Sequence, residues 1–228
     1  MYNLLKAETY KLKYSKELLI CIIGLFILGV INIYYGGELT AKESLTSQSR
    51  EMFGLIACTL FAITYIGKDF VSKTINHTLT SGNRRKKVLL SKYISYIIAC
   101  IIILLTNYSF MGGLYSVFYG WGQSFTGSEL YFVIVYISMG IFFDLCIASI
   151  PFFLCVLIRS SSIAIALSAG LIGLIFTLSQ MPWDTVAYSV GSKDTSLGMT
   201  SIMFSLFFVA STTLLYLVCN YNFKKMDI

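Results

Sequence analysis

Few residues in this chain have the type and spacing to do chemistry. There is one histidine, His77, with no second ligand residue beside it, and one acid well inside an apolar run, Asp144. The six cysteines (Cys21, Cys58, Cys100, Cys146, Cys155, Cys219) all lie in apolar runs without paired metal-ligand spacing, which reads as packing. A hydrolase needs a nucleophile with a base, a carboxylate pair or a metal, and one carboxylate cannot form a dyad. No HExxH-type motif occurs. The stretch GLFILGV at 24–30 has the glycine spacing of a phosphate loop but lacks the Lys and Ser/Thr that would hold phosphate and metal. NHT at 76–78 has the form of a glycosylation acceptor, in a loop that the charge distribution places inside. Asp144 keeps two readings: a candidate translocation-path residue touching substrate or a proton, or a polar anchor between helices. Pro151, seven residues on and on about the same helix face, removes a backbone donor and predicts a kink there.

The elements that must position these residues are apolar. The 228 residues are 57% hydrophobic and 12% charged, with a mean hydropathy of +0.77. That balance belongs to an integral membrane protein. Six runs approach the ~20 apolar residues needed to cross a hydrocarbon core of ~30 Å: 18–35, 52–67, 93–119, 131–157, 162–180 and 202–221. Runs such as LLICIIGLFILGVINIYY are continuous rather than alternating, so the spans are helices and not barrel strands. The loops are too short for a soluble domain, no internal repeat supports an inverted-repeat transporter, and span 1 starts too late for a cleavable signal. The small-residue series Ala166, Gly170 and Gly173 predicts close helix approach in span 5.

Charge sets the expected orientation. With both termini in the cytoplasm, the inside holds four lysines before span 1, seven Lys/Arg in 68–92, Arg159, Lys224 and Lys225; only Lys42, Arg50 and Lys193 fall outside. This is a positive-inside pattern with both termini inside, and it accounts for the net charge of +6. The positives face anionic lipid head groups, and no stacking aromatics interleave them, so nucleic acid is not expected as a partner.

The longest polar interruption, KDFVSKTINHTLTSGNRRKKVLLSK at 68–92, has internal structure. Val71, Ile75 and Leu79 recur every four residues with Phe70 beside them, and Lys68, Ser72, Lys73 and Asn76 fall elsewhere on the wheel. This predicts a short amphipathic helix, stopped at SGN by a left-handed Gly82. Arg84, Arg85, Lys86 and Lys87, with Lys92 beyond them, read as membrane-surface residues that fix topology. A helix of about 12 residues is marginal alone, so lipid or a protein groove must cover its apolar face.

In layout and in this loop the chain resembles the permease subunits of ATP-binding-cassette exporters of the ABC-2 class, also called type V. The lead-in LLKAETYKLKYSK at 4–16, the six spans, and the series Asp69, Thr74, Ser81, Gly82, Arg84 and Lys92 carry the likeness. The resemblance implies one all-α permease domain over 1–228: an interfacial helix at 1–17, spans 1–2 over 18–67, and a cytoplasmic coupling loop at 68–92. Spans 3–5 follow over 93–180, then a re-entrant outer segment at 181–201, and span 6 with its tail at 202–228. It further implies that residues 69–80 are a coupling helix docking in a cleft of a cytoplasmic ABC ATPase through Asp69, Phe70, Val71, Thr74, Ile75 and Leu79. The complex would hold two permeases, as a homodimer or with a sister permease, and two ATPases, with ATP and Mg on the ATPase and no cofactor in this chain.

The expected function is therefore a permease of an ATP-driven exporter in the plasma membrane. Spans poor in charge and rich in aromatics suit a hydrophobic or amphipathic peptide cargo, such as a toxin, bacteriocin or antimicrobial peptide, exported or cleared for immunity. The alternative is an ATPase-independent secondary transporter or a membrane scaffold or regulatory protein whose loop lies on lipid. An intramembrane enzyme would depend on Asp144 alone.

Overall fold

The structure, a computed structural model, describes residues 2–35, 39–45, 48–71, 74–75, 82–122, 126–158, 163, 166–171, 173 and 198–225. Among them every regular element is helical, as it must be for backbone that satisfies its own hydrogen bonds in hydrocarbon. The order is α1 (Tyr2–Lys13), α2 (Lys16–Tyr35), α3 (Ala41–Leu45) and α4 (Gln48–Ala62), which runs through a π-helical turn (Ile63–Gly67) into α5 (Lys68–Val71). Then come α6 (Arg85–Tyr119), α7 (Gly127–Ile158) and α8 (Gly198–Lys225).

Among the described residues, α2, α6 and α7 are the helices long and apolar enough to cross a membrane, and Met52–Gly67 is a shorter apolar helix. The expected spans 18–35, 52–67, 93–119 and 131–157 fall on α2, on α4 with its π-turn, on α6 and on α7, and 202–221 falls on α8. Most of 162–180 and of the outer segment 181–201 lies outside the described residues; residues 198–201 open α8.

Helix α6 is the hub. It packs against α1, α2, α3, α4, α7 and α8, because its buried positions (Leu89, Tyr96, Ala99, Cys100, Ile103, Leu104) recur at three- and four-residue steps along one seam. At 35 residues it is ~52 Å long at 1.5 Å per residue, well beyond the ~30 Å apolar layer. Tyr96, fully buried, stacks on Phe61 of α4 at 6.3 Å and donates from its hydroxyl to the Ala148 carbonyl of α7 at 2.6 Å. That carbonyl lies next to that of Ile147, the acceptor four residues before Pro151 that the proline leaves without its backbone donor. Helix α7 carries Pro151 in its interior and continues through it. In α2, by contrast, only Leu25 and Gly29 are buried among 20 residues, so most of its apolar surface is left to the surroundings of the subunit.

Connections pin the two ends of the bundle. At one end Thr40 and Glu43 form a capping box: the Thr40 N–H donates to Glu43 Oε2 at 2.9 Å, and the Glu43 N–H donates to Thr40 Oγ1 at 3.3 Å. Helix α3, so started, donates from the Ala41 N–H to the Gly120 carbonyl at the C-terminus of α6. Lys42 pairs with Glu129 at the start of α7 at 2.9 Å, with its ammonium 5.0 Å above the Phe132 ring. Gly122 has φ +91°, and Thr40 occupies the place a side chain would need, so that bend is closed to larger residues. At the other end lie α1, α5 and the start of α6, together with the last turns of α8, where Tyr216 meets Tyr93 at 6.1 Å. The N-terminal helix and the last helix therefore finish at the same end.

Glycine allows the closest helix approaches among the described residues. Among the described residues nothing lies within 4 Å of a Cβ built at Gly170 or Gly173, whereas Gly54 faces Asn107 and Leu104, and Gly140 faces the Tyr108 hydroxyl. That hydroxyl lies where a Cβ on Gly140 would be, and Tyr108 is buried in the core. Gly140→Ala should cost about 1–3 kcal/mol by overpacking, read as a lower melting temperature of the detergent-solubilised protein. Gly113→Ala, which meets nothing within 4 Å, should leave melting unchanged or slightly raised.

Candidate functional site

The candidate site gathers at the basic end around Asp69. The path begins in α4, where Thr64 donates back to the Leu60 and Phe61 carbonyls at 2.9 and 3.2 Å. These are acceptors at the start of the π-helical turn, where the widened i→i+5 pattern disturbs the normal ladder. The turn carries Tyr65, stacked on Phe61 at 5.0 Å, and delivers Asp69 into the bundle on the first turn of α5.

Asp69 is 6% exposed and takes three donors. Lys11 of α1 reaches its two oxygens at 2.7 and 2.9 Å, Lys92 of α6 donates to Oδ2, and Thr74 Oγ1 approaches Oδ1 at 3.2 Å. Lys92 also donates to Glu8 of α1 at 2.9 Å. Glu8 in turn accepts from the Tyr65 hydroxyl at 2.9 Å, and the Lys11 ammonium lies 4.6 Å over the Tyr65 ring. Two carboxylates and two ammoniums thus close a neutral cluster joining α1, the π-turn, α5 and α6. Burial pushes the Asp69 carboxyl up, but the Lys92 and Lys11 ammoniums outweigh it and hold the group below its ordinary value of 3.8.

The residues singled out from sequence divide as follows. Asp69 and Lys92 come together, and Thr74 joins them; Lys92, read as a membrane-surface residue, is instead buried, with a side chain 7% exposed. Ile75 is buried in the subunit's own core at 2%, where the sequence had placed it on a face awaiting a cover. Phe70 and Val71 lie on α5, and Leu79 lies outside the described residues. Gly82 has φ 83°, the left-handed backbone expected of the helix stop. Arg84 is the N-cap residue of α6, without a side-chain cap, and Arg85, Lys86 and Lys87 form its first turn, which has no acid. Cations at a helix N-terminus oppose the macrodipole, so these four do not serve the helix they begin. Asp144 is 2% exposed on α7, within electrostatic reach of the Cys58 thiol of α4, and is not part of the Asp69 cluster.

Glu8 and Lys11 escaped the sequence reading, which counted Lys11 only as a topology charge. The available signal was their i, i+3 spacing, which puts acid and base on one face of α1 beside the buried Leu12, together with an acid and a lysine at the ends of adjoining spans.

These features define a polytopic helical membrane protein whose buried charges are concentrated at one end. A family model described as ABC-2 family transporter protein matches residues 2–209, and the chain belongs to that family. It is a membrane permease subunit of the ABC-2 type, a family that generally pairs with an ABC ATPase and often with a second permease. No curated protein and no solved structure matches.

Two outcomes test the cluster. Lys92→Met leaves Asp69 and Glu8 short of a buried partner and should cost about 3–5 kcal/mol. Lys11→Met, removing a lysine side chain that is 44% exposed, should cost no more than about 1 kcal/mol in the same melting assay. Because the folded pKa of Asp69 is depressed, its stabilisation is complete above the unfolded value of 3.8 and is lost as pH falls through the lower folded value. The stability gap between wild type and Asp69→Asn should therefore be flat from about pH 5 to 8 and shrink only below about 3.8.

Proposed function

We propose that this chain is the permease of an ATP-driven exporter that moves hydrophobic or amphipathic peptides out of the cell, in a complex of two permeases and two cytoplasmic ATPases. The observation that carries this reading is the Asp69 cluster. It fixes the beginning of segment 69–80 to both α1 and the start of α6, so a push on that segment reaches two helices at once. An ATPase can switch the permease only if it touches the two states differently, and 69–80 is the segment through which such contacts would enter. The placement of the first and last helices at the same end, together with the inside count of Lys and Arg, supports a basic end in the cytoplasm. Arg84 to Lys87, set against the helix dipole, fit a role at an anionic membrane surface. Helices poor in charge and rich in aromatics suit a peptide cargo, as an exporter of or an immunity device against toxins or antimicrobial peptides. ATP and Mg belong to the partner ATPase.

Co-purification and inverted-vesicle transport test this reading. The tagged chain should bring down a cytoplasmic ATPase and support ATP-dependent peptide uptake into inverted vesicles. Leu79→Asp should abolish both while melting stays unchanged; Ile75→Asp is unsuitable because Ile75 is core. Retention of the ATPase and of transport by Leu79→Asp, or peptide transport driven by an ion gradient without ATP, contradicts the proposal.

A further inference from the structure

The helix formed by α4, the π-turn and α5 exposes one residue in four. Met52, Ile56, Leu60, Thr64 and Lys68 face outward, and from Phe61 to Gly67 every residue except Thr64 is buried, as is Asp69. An uninterrupted α-helix cannot hold that pattern: at 3.6 residues per turn each four-residue step turns the face by about 40°, and four steps turn it by about 160°. The chain is helical on both sides of the turn, with φ −54°, ψ −46° at Ala62 and φ −59°, ψ −38° at Lys68. The turn at Ile63–Gly67 therefore acts as one residue inserted into a continuous helix, and it sets everything after it back by about 100°. Lys68 is thereby kept within about 60° of Met52 on the outward face, where its side chain is 73% exposed and reaches Glu17 at 3.4 Å. Asp69 is kept inward, between Lys11 and Lys92.

The inserted residue decides which charge takes the inward seat. Without it, the place of each residue after the turn passes to the residue before it, so Lys68 would stand where Asp69 stands. Lys68 would then meet the Lys11 and Lys92 ammoniums, with the Glu8 carboxylate left to offset all three, and such uncompensated charge is costly away from water. The Thr64 hydroxyl, on the Leu60 and Phe61 carbonyls at 2.9 and 3.2 Å, covers acceptors that the wider turn frees, but it does not choose which residue faces the cluster. We propose that the π-turn is a register device set by the charge cluster. Segment 62–71 has two helical registers, a π register that seats the residue at 69 and an α register that seats the residue at 68, and the chain adopts the one that seats a carboxylate. The two registers differ by a rotation of α5 of about 100°, so the joint gives the segment beginning at 69 two discrete positions rather than a continuous range. Use of that rotation by an ATPase rests on the proposed function; the register itself does not.

The test is a charge exchange followed by removal of the inserted residue, read as the melting temperature of the purified full-length chain in detergent. Asp69→Lys should lower melting by about 10 °C or more. Adding Lys68→Asp should restore most of that loss, because the α register then seats the new carboxylate; adding Lys68→Asn, which supplies no carboxylate, should not. Deletion of Thr64 removes the turn and fixes the α register with the residue native to position 69 in the seat. In the otherwise unaltered chain this deletion should shift melting by no more than about 3 °C; in the exchanged chain it should abolish the recovery. Neither transport nor ATPase binding enters the readout, so failure here is distinct from failure of the exporter reading. Absence of recovery on exchange overturns the proposal, as does equal recovery with Lys68→Asn or collapse of the unaltered chain on deletion of Thr64. Recovery that survives the deletion also overturns it, because the new carboxylate would then be acting on a neighbouring lysine without any change of register.

Discussion

The structure depends first on burying Asp69 and Lys92 together, with the part-buried Glu8 and the more exposed Lys11 completing the set. A carboxylate or ammonium taken out of water alone costs several kcal/mol, and mutual attraction offsets this only when every group is paired with good geometry. Glu8, Lys11, Asp69 and Lys92 meet that condition as a closed set, with the Tyr65 hydroxyl and ring filling the remaining space. The consequence is mechanical as well as energetic. No one of α1, α5 and the start of α6 can leave without stranding a charge, so the three behave as one piece. The lead-in helix α1, an amphipathic segment that would be marginal by itself, obtains its fixed place from this cluster.

Around this clamp the construction is graded. The opposite end is held by a capping box and by Lys42 with Glu129, and the middle by uncharged packing: stacked Phe61 and Tyr96, a tyrosine hydroxyl on the Ala148 carbonyl, and glycines at the closest crossings. Helix α2 contributes little to the core for its length, with two buried residues among 20. The ABC-2 family generally pairs with an ABC ATPase, and in the proposed reading that partner supplies the push.

Much of the fold was legible because apolar runs and helix stops are local properties. The spans on α2, α6 and α7 follow from uninterrupted hydrophobicity, and the Gly82 turn follows from a glycine after a short helix. Of the loop residues that carried the family resemblance (Asp69, Thr74, Ser81, Gly82, Arg84 and Lys92), the structure brings Asp69, Thr74 and Lys92 into one cluster. Their partners were not legible, since Glu8 and Lys11 lie more than fifty residues away in sequence and pair only once α1 folds onto the hub. The π-turn, which carries Tyr65 and leads to Asp69, has no signature in the local sequence. Ile75 was misassigned to an uncovered face because a helical wheel shows which residues share a face but not whether the chain's own core covers it. Glycine spacing likewise gave no sign of Gly54 and Gly140, because spacing identifies small residues and only packing identifies those that are approached.

The most direct measurement is the distance between a spin label at Tyr10 on α1 and one at Lys86 on α6, both exposed, by pulsed electron paramagnetic resonance in the ATPase-bound permease. If the charge cluster makes α1, α5 and the start of α6 one rigid unit, this distance keeps a single narrow distribution with and without ATP, and broadens in Asp69→Asn. A shift of several ångströms on ATP binding in the wild-type chain would contradict the account, because the helices would then move separately and the cluster would not transmit the push.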